Sequence, residues 1–126
     1  MDVKKRILVV DDEVDVLTYL CTLLEDNGYQ TLRALNGIEA IESAKSHRPD
    51  LITLDMSMPE QSGVRTMREL KADPQLATIP VVIVTGIGES MNTFIQKIPH
   101  FPRPEGFIAK PISQDEFLGL VKQLLA

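Results

Sequence analysis

Residues 50–59 read DLITLDMSMP, and this stretch decides the fold. Its residues 51–54 form an apolar and β-branched run typical of a strand that is buried on both faces. Asp55 stands where this run gives way to a loop containing Pro59, because proline cannot continue a central strand. We therefore expect Asp55 at the carboxyl end of a parallel strand, which is where open α/β sheets bind their ligands.

Strand-like and helix-like segments alternate along the whole chain. We predict strands over 6–10, 29–34, 50–54, 81–85 and 106–109, helices over 13–26, 37–46 and 63–72, and a last helix opened by the capping box Ser113–Glu116. Asn36 is the expected cap of the second helix. This alternation indicates an α/β fold, a doubly wound five-stranded parallel sheet. We expect the flavodoxin-like (βα)5 strand order, 2-1-3-4-5.

Composition bounds the function. The 126 residues are 44% hydrophobic and 25% charged, which is ordinary for one soluble domain, and we predict a single domain over 1–126. The net charge of −5 argues against direct binding of nucleic acid or of an anionic membrane. The single cysteine, Cys21, lies on an apolar helix face and is expected in the core. Without a signal-peptide-like or membrane-length apolar run, we expect a cytoplasmic protein.

Four predicted strands end in polar side chains. Asp11 and Asp12 follow the first, Asp55 the third, Thr85 the fourth and Lys110 the fifth. Carboxylates held this close repel one another unless a cation intervenes, and Mg²⁺ prefers oxygen ligands. An ionised carboxylate beside such an ion can attack phosphorus to form an acyl phosphate. A lysine and a hydroxyl would then stabilise the transferred phosphoryl group.

These segments resemble the receiver domain of two-component response regulators, of the chemotaxis-regulator type. The resemblance covers essentially the whole chain and rests on ILVVDDE (7–13), DLITLDMSMP (50–59), VTG (84–86) and AKP (109–111). It implies a phosphorylation-controlled signalling switch rather than an enzyme, apart from self-phosphorylation from a phosphodonor and slow autodephosphorylation. It also implies a histidine kinase or histidine-phosphotransfer protein as donor. The expected target is an unidentified downstream protein or a lost output domain.

The resemblance also assigns roles to single residues. It makes Asp55 the phosphoacceptor. It makes Asp12, Asp55 and the backbone carbonyl of Ser57 direct ligands of Mg²⁺ and Asp11 a ligand through water, and Mn²⁺ can substitute for Mg²⁺. Lys110 would form an ion pair with Asp55. The peptide bond between Lys110 and Pro111 would be cis. Thr85 and the aromatic Phe107 would shift together as the switch, and this would alter partner binding at the face of strands four and five. Gly63 matches the small residue that opens the third helix.

One stretch departs from the receiver pattern. Residues 99–104 read PHFPRP, and three prolines in six residues cannot continue a helix. We therefore expect a short helix after the fourth strand and then a rigid extended loop. We favour a loop tucked against the domain over a private partner surface with Phe101 exposed.

Other functions remain open at this point. A haloacid-dehalogenase-type phosphohydrolase needs an acid two residues after its nucleophile. Ser57 fills that place after Asp55, although Glu13 follows Asp11 at the right spacing. A flavodoxin needs a phosphate-binding loop after the first strand, where carboxylates would repel phosphate. A degenerate receiver that binds a partner without phosphorylation is the third alternative.

Overall fold

The computed structural model describes residues 3–56, 63–86 and 100–126. Its strands are β1 (Arg6–Val10), β2 (Gln30–Ala34), β3 (Leu51–Asp55), β4 (Val81–Thr85) and β5 (Gly106–Ala109). Its helices are α1 (Val14–Asp26), α2 (Gly37–His47), α3 (Gly63–Ala72) and α4 (Gln114–Leu124). The predicted boundaries agree to within one residue. The helix predicted after β4 and the residue Ser57 lie outside the described residues.

The five strands form one parallel sheet in the order β2-β1-β3-β4-β5, as predicted. Its register aligns Val10 with Leu54, Asp55 with Val84, and Thr85 with Ala109. The carboxyl ends of β1, β3, β4 and β5 therefore finish nearly level with one another. The polar residues at or just after those ends meet at one edge of the sheet.

Apolar side chains cover both faces of the sheet, which explains the nearly continuous apolar strands. The first core cluster joins the sheet to α2 and α3 and includes Leu8, Val10, Ala40, Ala44, Ile52, Leu54, Met67, Leu70 and Ile83. The second core cluster joins it to α1 and α4 and includes Ile7, Val9, Leu17, Leu20, Cys21, Leu51, Val82, Ile108, Phe117 and Val121. Cys21 is fully buried there, as expected. Among the described residues, no helix combines the length and apolarity needed to span a bilayer.

Two helices begin with the side-chain caps that the sequence predicts. The Oδ1 atom of Asn36 accepts the N–H of Glu39 at 2.9 Å, and the Oγ atom of Ser113 accepts the N–H of Glu116 at 3.4 Å. These bonds satisfy N–H groups that a helix start leaves without a partner. They fix the residues at which α2 and α4 begin.

The apolar residues of α3 predict an inward stripe of Val64, Met67 and Leu70, and the structure differs slightly from this prediction. Met67 and Leu70 are fully buried, but Val64 is only half-buried and Thr66 takes a buried position. Gly63, Thr66, Met67 and Leu70 follow the i, i+3, i+4, i+7 spacing of one helix face, from which Val64 is offset. The packing of Gly63 against β3 sets this rotation.

The described part of the proline-rich segment is tucked against the domain. Phe101 packs against the first core cluster, and Pro104 is buried. Arg103 between them is exposed. The tucked loop is therefore confirmed for residues 100–104.

A polar tie holds the amino end of β5 to the connection between α3 and β4. The Nζ atom of Lys71 donates to the carbonyls of Ala77 at 3.2 Å and Ile79 at 3.3 Å, and to Oε1 of Glu105 at 2.8 Å. The same Oε1 accepts the N–H of Val81 at 2.8 Å. We call this arrangement the Lys71–Glu105 tie. It lies at the amino ends of the strands, opposite the polar edge.

Candidate functional site

Three carboxylates converge at the carboxyl edge of the sheet. Asp11, Asp12 and Asp55 each offer an oxygen, and these oxygens lie within 4.8 Å of one another. Asp11 and Asp55 are each only 1% exposed, whereas Asp12 is exposed. This acidic cluster thus has a buried floor and an accessible rim.

The environment of Asp11 disfavours its ionised form. The pKa of Asp11 is raised from 3.8 to about 6, mainly by burial and also by the charge of Asp55, while the N–H of Glu13 and the charge of Lys110 oppose the change. The Glu13 N–H donates to Oδ1 of Asp11 at 2.9 Å, directly before α1 begins. The carboxylates are therefore held together at an electrostatic cost that a bound cation would relieve.

The donor set and its size fit a magnesium ion. All three groups are carboxylates, and Mg²⁺ binds oxygen at about 2.1 Å, so two of its ligands stand at most about 4.2 Å apart. The three carboxylate oxygens lie within 4.8 Å of one another, which is close to that limit. Asp11, Asp12 and Asp55 could hold such an ion with water completing its shell.

Lys110 and Thr85 stand at the ends of β5 and β4, close to the strand that ends in Asp55. The Nζ atom of Lys110 lies 4.0 Å from Oδ2 of Asp55, and the Lys110 N–H donates to the Thr85 carbonyl at 3.0 Å. The peptide bond between Lys110 and Pro111 is cis, as the resemblance implied. Thr85 is 3% exposed, and its Oγ1 has no hydrogen-bond partner among the described residues. A buried hydroxyl of this kind is suited to an incoming acceptor oxygen.

Phe107 lies on the same face of the sheet as Thr85. It pairs with Ile83, which is two residues before Thr85, and alternate residues of a strand share a face. Its ring is half-buried against the first core cluster. The two predicted switch residues therefore occupy adjacent strands above one part of the core.

Gly63 brings the start of α3 against the backbone of the site. A Cβ atom at this position would lie 2.6 Å from Sδ of Met56, 2.7 Å from Cα of Met56 and 2.9 Å from the carbonyl oxygen of Asp55. Two of these three atoms belong to the backbone, which cannot move without moving Asp55. Only glycine allows this close approach.

The structure also places two residues that the sequence did not single out. Thr53 is buried in β3, and its Oγ1 has no hydrogen-bond partner within the described ranges. Its only sequence signal was a polar residue inside an apolar run. Tyr19 of α1 accepts a hydrogen bond at 2.8 Å from Nε2 of Gln114, the first residue of α4. No sequence pattern could link residues 95 positions apart.

The sequence matches known families along most of its length. The family model of the response regulator receiver domain matches residues 7–122. The chain is 37% identical over 121 residues to the polar-differentiation response regulator DivK of Brucella anthropi, and the match covers 96% of each protein. The DivK protein of Brucella ovis is 36% identical with the same coverage.

Solved structures show the same architecture. The signal receiver domain of a histidine kinase from Syntrophus aciditrophicus is 36% identical, with a TM-score of 0.84 over 96% of this chain and 89% of that one. The Vibrio cholerae chemotaxis regulator CheY4 has a TM-score of 0.85 at 22% identity, over 98% of this chain and 100% of that one. This second likeness bears on the fold alone. These matches disfavour the haloacid dehalogenase and flavodoxin alternatives.

Proposed function

The chain belongs to the response regulator receiver family, and from that premise we propose that Asp55 is its phosphoacceptor. Asp55 takes a phosphoryl group from a histidine kinase or a histidine-phosphotransfer protein, in a magnesium-dependent reaction. The observation that carries the proposal is the convergence of three carboxylates within 4.8 Å, with the Lys110 amine 4.0 Å from Asp55. The resulting change at the β4–β5 face alters the affinity for a partner.

The transfer needs no general base, because a carboxylate is itself the nucleophile. A carboxylate oxygen of Asp55 forms a bond to phosphorus while the bond from phosphorus to the donor nitrogen breaks, and the donor imidazole keeps that electron pair. Lys110 offsets the charge on the phosphoryl oxygens, and the buried Thr85 hydroxyl donates to one of them.

Asp11, Asp12, Asp55 and the Ser57 carbonyl are the proposed magnesium ligands. When bound, Mg²⁺ supplies the positive charge that counters the carboxylates and the phosphate. Mn²⁺ is the expected substitute because it accepts the same oxygen ligands. The support for this assignment is the fit of the donor set and the raised pKa of Asp11.

The output follows from the charge that phosphorylation adds. A phosphoryl group on Asp55 brings close to two negative charges within reach of Thr85 and Lys110. Thr85 and Phe107 share one face of β4 and β5, so a movement of Thr85 is passed to the aromatic ring. Phe107 has no hydroxyl, so it acts on a partner through its ring position and not through a hydrogen bond.

The remaining assignments follow the family. The protein acts as a cytoplasmic switch with one receiver domain over 1–126, and its own chemistry is limited to self-phosphorylation and slow autodephosphorylation. Its target is a downstream protein or an output domain, without direct contact to nucleic acid or membrane. The net charge of −5 supports the last point.

The test is the intact mass after incubation with acetyl phosphate and Mg²⁺. We expect one added phosphate in the wild-type chain and none in Asp55→Asn or after removal of Mg²⁺ by EDTA. Glu13→Gln, which changes an exposed acid next to the cluster, should still accept phosphate. No adduct in the wild-type chain, together with no binding of beryllofluoride, would overturn the proposal in favour of an unphosphorylated binding module.

A further inference from the structure

We propose that Tyr19 is a positioning residue for Lys110, an inference that rests on the proposed phosphorylation of Asp55. The Tyr19 hydroxyl and the Gln114 side chain join α1 to the start of α4. This bond fastens the loop of residues 110–113, which carries Lys110, against α1. Neither residue takes part in the transfer itself.

The loop is anchored at both ends. At its start, the N–H of Lys110 donates to the Thr85 carbonyl at 3.0 Å. At its end, the Ser113 carbonyl accepts the Phe117 N–H of α4 at 2.9 Å. The backbone of Lys110 is thus held to β4, whereas the end of its loop is held by the start of α4.

An open surface pocket is lined by both the loop and α1. It has a volume of about 390 Å³ and is lined by Asp15, Val16, Tyr19, Lys110, Pro111 and Ile112. Val16 of α1 and Ile112 of the loop also pack against the second core cluster, so the pocket lies beside this apolar contact. The 2.8 Å bond between Tyr19 and Gln114 crosses between the two elements beside the pocket.

The separation of Lys110 from Asp55 makes its placement matter. At 4.0 Å, the Nζ–Oδ2 pair is at the outer limit of an ion pair, so a small retreat of the loop would weaken it. Misplacing a group that stabilises a transition state slows the reaction even when that group remains present. Loss of the hydrogen bond between Tyr19 and Gln114 should thus slow phosphoryl transfer without removing any group that binds magnesium.

The experiment compares Tyr19→Phe, Gln114→Leu and Gln114→Glu with the wild-type chain. Acetyl phosphate is the phosphodonor, since a small molecule excludes effects on partner docking. The maximal phosphorylation rate, the Mg²⁺ concentration at half-maximal rate and the melting temperature are measured for each. Gln114→Glu is the conservative rescue, because the tyrosine hydroxyl can donate to a carboxylate.

We expect Tyr19→Phe and Gln114→Leu to lower the maximal rate by about threefold or more. The magnesium dependence should stay the same, since Asp11, Asp12 and Asp55 are untouched. Gln114→Glu should keep a rate near that of the wild-type chain. The double variant Tyr19→Phe with Gln114→Glu should be as slow as Tyr19→Phe alone.

Equal rates in all variants, with a phosphorylated wild-type chain, would overturn this inference and leave the proposed function standing. Rates that fall only in proportion to lost stability would also overturn it, because the bond would then be merely structural. A wild-type chain that takes no phosphate would overturn the proposed function itself.

Discussion

At the scale of single residues, Asp11 illustrates how the fold prepares a charged site. Its carboxyl group is 1% exposed, lies beside Asp55 and accepts the N–H of Glu13. The fold raises the pKa of this group to about 6, so the folded chain binds this proton more tightly than the unfolded chain does. Folding is therefore linked to protonation when no cation is present.

This linkage predicts that Asp11→Asn stabilises the metal-free protein near neutral pH. Because the pKa is raised in the folded state from 3.8 to about 6, the favourable contribution of the protonated carboxyl is complete below pH 3.8 and is lost as pH rises through 6. Asparagine keeps the oxygen that accepts from Glu13 and never ionises. At pH 7.5 in EDTA we expect it to add on the order of 2 kcal/mol to the free energy of unfolding.

Thermal unfolding in EDTA from pH 4 to 8 measures this difference. The gap between Asp11→Asn and the wild-type chain should grow with pH. Glu42→Gln, an exposed acid on α2, serves as the control and should show a small gap. A gap for Asp11→Asn that is the same at pH 4 and pH 7.5 would contradict the linkage.

The exposed position of Asp12 at the rim of the cluster leads to a prediction about stabilisation by Mg²⁺. Mg²⁺ should raise the melting temperature because it binds only the folded cluster. At ten times its dissociation constant the gain is about 1.4 kcal/mol, or several degrees for a domain of this size. Asp12→Asn should remove most of this rise, and Glu13→Gln should retain it. Calorimetry with and without Mg²⁺ decides the matter, and an unchanged rise in Asp12→Asn would exclude Asp12 as a ligand.

At the scale of elements, the start of α3 and the end of β3 form one unit. Gly63 lies against the backbone of Asp55 and Met56, so the helix supports the strand end that carries Asp55. The buried stripe of α3 then follows from Gly63 through Leu70.

Gly63→Ala should destabilise the fold and slow phosphorylation together. Its Cβ would stand 2.7 Å from Cα of Met56, and relieving that overlap must shift Asp55. We expect a loss of about 1–3 kcal/mol in denaturant unfolding. Gly119→Ala in α4 is the matched control, because its Cβ would have no neighbour within 4 Å; it should be neutral or stabilising. Equal stability of the two variants would show that the approach at Gly63 is not constrained.

Elements were predictable from sequence where local pattern and tertiary packing agree. The apolar runs of β1, β3 and β4, and the caps at Asn36 and Ser113, led to correct boundaries. Val64 was placed inward wrongly, because a short apolar pattern cannot fix the rotation of a helix, and the contact between Gly63 and Met56 does. The distance between Lys110 and Asp55 likewise could not be predicted from sequence, because it depends on the register of the strands in the folded sheet.

At the scale of the whole molecule, the two ends of the sheet have different roles. The carboxyl edge holds the acidic cluster with Thr85 and Lys110. The amino edge holds the Lys71–Glu105 tie, which joins α3, β4 and β5 through a lysine whose side chain is 13% exposed. The last strand is thus fixed at one end and meets the site at the other.

Lys71→Met should therefore cost more stability than breaking an exposed ion pair. It leaves the carbonyls of Ala77 and Ile79 and the carboxylate of Glu105 without their shared donor, and we expect a loss of about 1–3 kcal/mol. Arg65→Gln is the control, since the Arg65–Glu69 pair is 70% and 40% exposed; it should cost under about 0.5 kcal/mol. Chemical denaturation measures the loss of stability in both variants. Similar losses would show that the Lys71–Glu105 tie stabilises the fold no more than an exposed ion pair does.

Much of the site could be inferred from the order of motifs, because a parallel sheet gathers the ends of its strands at one edge. Asp11, Asp12 and Asp55 were grouped on that basis, and the structure brings them together. The bond between Tyr19 and Gln114 and the Lys71–Glu105 tie could not be inferred. Both join side chains from segments distant in sequence, where polar residues otherwise look like ordinary solvated surface.

The placement of the Lys71–Glu105 tie has a consequence for how this sequence can evolve. Since the tie shares no residue with the acidic cluster, mutations that lower cellular abundance and mutations that silence signalling should fall on separate sets of positions. A deep mutational scan scored for both properties would show two populations of damaging substitutions. Gly63, which packs directly against the backbone of Asp55, should be among the few positions that appear in both.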